Sequence, residues 1–377
     1  TELVKEYRKR NSGTYMKIGI LTRRYGHNMG SSLQAYAMAE LIRSLGHEAE
    51  IIDYDESSAH LTWKIRPLME HLQWSMHLYK NAANKEYLAH RMAQEKRFAD
   101  FEKHYLPLSR ERVSSARALR RIATRYDKIV VGSDQIWSPF LFDPNYFGAF
   151  LKENERAKVV PYAPSVGTSE PGVFSEQEIN LLRSLAHLSC REEAGAVIMS
   201  EFTGREVPTV LDPTLMLAAD TWQSISGNHA VPALPEKYVL TYFLGKDIPH
   251  DAISNIAADC KAKVVNVAMF NKPNGVIADV HAWQVGPGEF LALVGGASHV
   301  LTDSFHATIF SHIFDRPFTV FERFKASERQ NQNSRIHTLL SVLGKQSCLY
   351  GSNACDADSI FELQKQSSLN YLKAALL

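Results

Sequence analysis

The chain has little cysteine, no long apolar run and no excess of either charge. Four cysteines (Cys190, Cys260, Cys348 and Cys355) in 377 residues are too few and too scattered for a disulfide framework or a paired zinc motif. They suit a reducing compartment such as the cytoplasm. No stretch approaches the roughly 18 consecutive apolar residues of a membrane-spanning helix, and the polar start Thr1–Thr14 lacks a signal core. With 42 Lys+Arg against 41 Asp+Glu, no general attraction to nucleic acid is expected. No GxGxxG fingerprint and no P-loop lysine follow the first strand. His299, His306 and His312 do not share helical spacing, which weighs against a histidine metal site.

What is present is an ordinary globular composition, 45% hydrophobic and 22% charged, in which strand-like and helix-like segments alternate. That pattern predicts an α/β fold with parallel sheets and crossover helices. Lys17–Thr22, Glu48–Tyr54, Asp127–Val131, Val159–Tyr162, Leu188–Arg191 and Thr209–Leu211 read as strands of a first Rossmann-like unit. Tyr238–Phe243, Val264–Val267, Val300–Thr302 and Phe318–Phe321 read as those of a second. The expected division is a tag or flexible extension over 1–15, an N-terminal domain over 16–219, a C-terminal domain over 220–357, and a helix over 358–377 that crosses back to the first domain. A helical insertion near 63–105, rich in rings and bases (Trp63, Arg66, Trp74, His77, Tyr79, Lys80), reads either as an acceptor or membrane flap or as an amphipathic helix with its rings in the core.

The most informative stretch is Val300-Leu301-Thr302-Asp303-Ser304-Phe305-His306. It reads as a buried strand that turns into a helix capped by Asp303 or Ser304. A helix start offers free N–H groups and partial positive charge, which suit an anion. His306 in its first turn is a proton-exchanging group beside that anion site. The loop Asn28-Met29-Gly30 opens a helix after the first strand, at a position where open α/β sheets bind ligands. Ser133, Asp134, Gln135 and Trp137 follow the third strand, as sugar-binding groups or as a capped turn with a core tryptophan. Arg191 either binds a carboxylate or phosphate or pairs with Glu192 or Glu193 at the surface. Asp53-Tyr54-Asp55 has the form of a metal-binding DxD, though an acid there also caps turns.

Five segments occur in order: Gly132-Ser133-Asp134-Gln135-Ile136-Trp137, Tyr162-Ala163-Pro164-Ser165-Val166-Gly167, Arg191-Glu192-Glu193, Leu211-Asp212-Pro213-Thr214-Leu215 and Thr302-Asp303-Ser304-Phe305-His306. Together they resemble the polysaccharide pyruvyl transferase family, as do Tyr25–Gly30, Leu33–Tyr36 and Ser334-Arg335-Ile336. The resemblance covers roughly residues 17–345. It implies two Rossmann-like domains facing a GT-B-like cleft, phosphoenolpyruvate as donor, and a saccharide acceptor, lipid-linked or otherwise, receiving a cyclic pyruvate ketal. It implies no metal or redox cofactor, no nucleic-acid partner, and work in the cytoplasm, with peripheral association at the membrane's inner face. His306 becomes the candidate acid, with Arg191, Ser304, Phe305 and Arg335 on the donor. Asn28, Gly30, Ser133, Asp134, Gln135 and Trp137 face the acceptor. Where some members carry an arginine two residues before the histidine, this chain has Ser304, and Arg335 or Arg323 is expected to supply the missing cation. The competing expectations are a nucleotide-sugar glycosyltransferase of similar fold and a catalytically silent glycan-binding partner.

Overall fold

The structure, a computed structural model, describes residues 15–24, 28–56, 82–229, 231, 233–268, 274–325, 328 and 331–377; the side chains of 82–88 are not part of that description. The expected extension through residue 14, the loop residues Tyr25–His27 and the aromatic part of the insertion at 57–81 lie outside the described residues.

Among the described residues nine strands form two wholly parallel sheets. The first contains β1 (Lys17–Leu21), β2 (Glu48–Ile51), β3 (Lys128–Val131) and β4 (Val159–Pro161), in the order β2-β1-β3-β4. The second contains β5 (Tyr238–Tyr242), β6 (Lys263–Asn266), β7 (Val280–His281), β8 (His299–Thr302) and β9 (Phe318–Val320), in the order β7-β6-β5-β8-β9. Val, Ile and Leu fill these strands because both faces are covered by helices; β5, for example, is buried along its whole length. Each sheet reverses direction once, between β1 and β3 and between β5 and β8. Those are the positions at which open sheets leave a crevice beyond their strand ends.

The helices in chain order are α1 (Met29–Ser44), α2 (Ala82–Tyr105), α3 (Ala116–Ala123), α4 (Glu176–Ser184), α5 (Glu193–Thr203), α6 (Pro213–Met216), α7 (Ala219–Gly227), α8 (His250–Cys260), α9 (Pro287–Gly296), α10 (Phe305–Ile313), α11 (Ser334–Leu343) and α12 (Phe361–Leu376). α1 is buried around most of its circumference, which its small residues Gly30, Ser31, Ala35, Ala37 and Ala39 permit. One apolar cluster runs through both halves, from Ile18 and Leu33 to Phe290 and Phe310. Trp222 of α7 joins them: its ring meets Tyr36 of α1 at 5.6 Å and Phe310 of α10 at 4.9 Å. α12 returns to the first half, where the Ser368 hydroxyl accepts from the Leu211 N–H at 2.9 Å and the Tyr371 hydroxyl donates to the Pro161 carbonyl at 2.7 Å. Among the described residues no helix is long and apolar enough to cross a membrane.

The α/β class and the parallel sheets agree with the sequence pattern. Two expected strands do not form. Leu188–Arg191 and Thr209–Leu211 meet only through one parallel bridge, Cys190 to Thr209. Pro208 and Pro213 deprive that segment of ladder donors, and its two chains end at once in Arg191 and Asp212. A two-residue strand, β7, was too short to read from sequence.

Trp222→Ala should cost about 3–5 kcal/mol, as for other fully buried tryptophans, and lower the midpoint of denaturant unfolding accordingly.

Candidate functional site

The site begins where β8 ends. The Thr302 hydroxyl donates to the Tyr242 carbonyl at 2.6 Å and accepts from the Ser304 N–H at 3.0 Å, which fixes the turn. Ser304 has extended dihedrals and its hydroxyl accepts from the Ala307 N–H at 3.4 Å, so Ser304 is the cap of α10. Asp303 points elsewhere. Its carboxylate accepts from the N–H groups of Leu244 and Gly245 at 2.8 and 2.7 Å and from Arg323 Nε at 3.2 Å. Asp303 therefore ties together the loops after β5, β8 and β9 and engages Arg323.

His306 lies between two buried groups from the other half of the chain. Its Nε2 is 3.5 Å from Asp212 Oδ2, an ionic contact not aligned as a hydrogen bond. Its Nδ1 lies over Gly30, where a β-carbon would come within 2.1 Å of that nitrogen. Gly30 is thus required by close approach. It sits in the first turn of α1, whose cap Asn28 accepts from the Gly30 N–H at 2.9 Å. Two helix starts, α1 and α10, therefore converge on one imidazole, and both bring partial positive charge.

Asp212 joins the cluster. Oδ2 accepts from Arg191 Nη1 at 2.8 Å and from the Ser133 hydroxyl at 3.0 Å, on the same oxygen that faces His306. Oδ1 caps α6, accepting from the Thr214 N–H at 3.0 Å and hydroxyl at 2.7 Å. Burial alone would raise the Asp212 carboxyl; the adjacent His306, then Arg191, hold it well below the ordinary carboxylate range instead. Asp134 behaves alike: burial opposes ionisation, but Arg191 and His306, with the hydroxyl of Ser31 donating at 2.5 Å, keep it low.

Two guanidiniums complete the site. Arg191 is buried on the ring of Phe305, 4.3 Å from its centroid. Its Nε and Nη2 have no hydrogen-bond partner among the described residues. Arg335 of α11 is buried too, and among the described residues bonds only to Gln332, through Nη2 to Oε1 at 2.5 Å and Nε to the carbonyl at 3.3 Å. Burial, then the neighbouring Arg191, pushes Arg335 down to about 9. A guanidinium does not lose its proton inside a protein. The shift instead registers buried positive charge that Glu192 and Asp134 offset only in part, with no carboxylate in ion-pair contact among the described residues, an arrangement suited to an anion. Gln135 reaches the same place from the first half, donating to Gln332 Oε1 at 2.7 Å.

The structure thus gathers Asn28, Gly30, Ser133, Asp134, Gln135, Arg191, Ser304, Phe305, His306 and Arg335 around the facing strand ends. Some roles change. Ser304 and Phe305 act on neighbours, one as cap and one as the platform for Arg191. Trp137 is not at the cleft: it is 1% exposed, its indole N–H donates to the Tyr146 carbonyl at 3.0 Å, and it stacks on Phe147. The apolar cluster beneath β3 offered it more burial than the cleft could. Arg191 does not pair with Glu192, whose Oε1 accepts from the Ser165 hydroxyl and from the N–H groups of Val166 and Gly167. Asp53 and Asp55 pair with Arg24 and Arg112, and no described cluster of three or more His, Cys, Asp or Glu could hold a metal ion. Asp212 was missed. Its one signal was the buried Leu211-Asp212-Pro213-Thr214 turn, which reads as a cap and is one.

Removing the Asp212 charge should leave buried Arg191 with only the more distant Asp134, 3.8 Å away, as a counter-ion. Asp212→Asn is expected to cost about 3–5 kcal/mol near neutral pH. Because the folded-state value is depressed, that contribution is present above about pH 4 and fades as pH falls further. Urea unfolding of wild type and variant at pH 7 and at acid pH checks both statements; a constant difference would refute the ionic account.

The family model described as polysaccharide pyruvyl transferase matches residues 28–323, most of the chain. No curated protein matches. Among solved structures, the UDP-GlcNAc 2-epimerase from Methanocaldococcus jannaschii is 12% identical with a TM-score of 0.46, covering 86% of this chain and 92% of that one. A putative UDP-N-acetylglucosamine 2-epimerase from Listeria monocytogenes is 10% identical with a TM-score of 0.48, covering 96% and 90%. The ADP-heptose LPS heptosyltransferase II of E. coli is 12% identical with a TM-score of 0.37, covering 96% and 98%.

Proposed function

Since the chain belongs to the polysaccharide pyruvyl transferase family, we propose that it moves the pyruvyl group of phosphoenolpyruvate onto a hexose of a surface polysaccharide or its lipid-linked precursor, closing a cyclic ketal. The observation that carries this reading is the pair of buried guanidiniums beside His306: Arg191, paired with Asp212 but with Nε and Nη2 free of hydrogen bonds among the described residues, and Arg335, whose described hydrogen bonds go to Gln332. Phosphoenolpyruvate carries a carboxylate and a phosphate on one small frame, and two fixed cations beside a helix start suit it.

His306, protonated, gives its proton to C3 of the donor while an acceptor hydroxyl oxygen bonds to C2. The C2–C3 double bond becomes a single bond. Phosphate then leaves C2 with the electrons of its C–O bond, and the second hydroxyl oxygen takes its place. Of the two hydroxyl protons, one restores His306 and the other leaves with phosphate or solvent. No electron is gained or lost overall, so the sequence calls for no redox cofactor, and protonation supplies the activation a metal would otherwise give. Asp212, 3.5 Å from Nε2, fixes where the imidazole stands. Asp134 lies toward the acceptor side of the same cluster, and Ser133, buried behind it, donates to Asp212. The cytoplasm, at the membrane's inner face, is where such a chain would meet both substrates.

Phosphate release on incubation with phosphoenolpyruvate and a lipid-linked saccharide tests the reading. His306→Gln should lower turnover about 10²–10⁴-fold with donor affinity little changed. Arg335→Leu should weaken donor binding about tenfold or more, the worth of a charged contact, while leaving thermal stability equal or higher, because it removes an uncompensated buried charge. Nucleotide binding without phosphoenolpyruvate binding in calorimetry would instead favour glycosyl transfer.

A further inference from the structure

Residues 110–125 hold six arginines and one glutamate, a net +5 in a chain whose total is +1. The rest of the molecule is therefore net acidic, and the positive charge is concentrated on one face. All six arginines (Arg110, Arg112, Arg117, Arg120, Arg121 and Arg125) are exposed. α3 explains the arrangement: Leu119, Ile122 and Ala123 are buried under it, so Arg117, Arg120 and Arg121 share its outer face at spacings of three and four. Like charges at those spacings repel by a few tenths of a kcal/mol, and Arg117 in the first turn also opposes the helix dipole. Acidic neighbours answer only part of this charge. Glu111 serves both Arg121 and Arg125, Arg112 pairs with Asp55 at 2.9 Å, and Arg120 with Glu155 at 3.5 Å. Arg110 and Arg117 have no ionic partner among the described residues.

We propose that this arginine face docks the protein on an anionic phospholipid bilayer. The charges are spread over an exposed helix and the adjoining segment rather than gathered around a pocket, which suits a surface of many phosphates more than one small anion. All are arginine, whose planar fork binds phosphate through two parallel bonds. Val113 bridges to Tyr54 just beyond β2, running parallel to it, so Arg110 and Arg112 lie toward the strand ends that form the cleft. If the proposed transfer is correct, a membrane held there brings a lipid-linked acceptor to the site; the docking itself does not depend on that reading.

Sedimentation of the full chain with vesicles of phosphatidylcholine, alone or mixed with phosphatidylglycerol, tests the proposal. Binding should require the anionic lipid and weaken with salt. At about 1 kcal/mol for each basic residue near the surface, the triple variant Arg117→Gln, Arg120→Gln, Arg121→Gln should bind roughly a hundredfold more weakly, with an unchanged circular dichroism spectrum. Lys345→Gln, an exposed cation just beyond α11 and outside the face, should bind as wild type. The single variant Arg117→Glu repeats the test with the least disturbance to the helix. Equal binding by wild type and triple variant, binding to neutral vesicles, or retention on a soluble polyphosphate without vesicle binding would each overturn it.

Discussion

The site depends on one carboxylate oxygen. Asp212 Oδ2 lies against Arg191, Ser133 and His306 at once, and these come from the bridged segment before α5, the end of β3 and the start of α10. A fully buried carboxylate is costly unless it is paired and hydrogen-bonded. Arg191, Ser133 and Thr214 meet that requirement from within the first half, and His306 brings the second half onto the same oxygen. The same contact that stabilises the acid thereby fixes where the histidine and the arginine stand.

The surrounding structure is arranged to be cationic. Two helix starts meet at His306, Gly30 leaves the space that lets them approach, and Arg335 adds a buried guanidinium whose charge Glu192 and Asp134 offset only in part. Such an arrangement lowers stability without an anion and gains it with one. Of the two arginines weighed for the place that Ser304 leaves open, Arg323 is engaged with Asp303, whereas Arg335 lies beside Arg191.

Much of this was legible in the sequence where it is local. The buried run Val300–Thr302, the capping Ser304 and the helix after it are written in adjacent residues, and so is the tight turn into α1. The sequence left open which of Asp303 and Ser304 caps, because both side chains can; the loops after β5 and β9 decided it by claiming Asp303. Trp137 was misread because a ring after a strand can turn to the cleft or the core, and only the bulk of Phe147 and Tyr146 beneath it settles which. Asp212 was invisible because its local task, capping α6 with Oδ1, accounts for it fully; the work of Oδ2 exists only after residues far apart in the chain have met. Arg191 gave two readings for the same reason: the identity of its partner is a tertiary fact.

In the proposed reaction the two guanidiniums and His306 together form one phosphoenolpyruvate site. A crystal structure of the chain soaked with phosphoenolpyruvate tests it most directly. The account requires the donor's carboxylate and phosphate oxygens about 3 Å from guanidinium nitrogens of Arg191 and Arg335, with C3 facing the imidazole of His306. A donor bound outside that pair, or bound there with C3 turned away from His306, would contradict it.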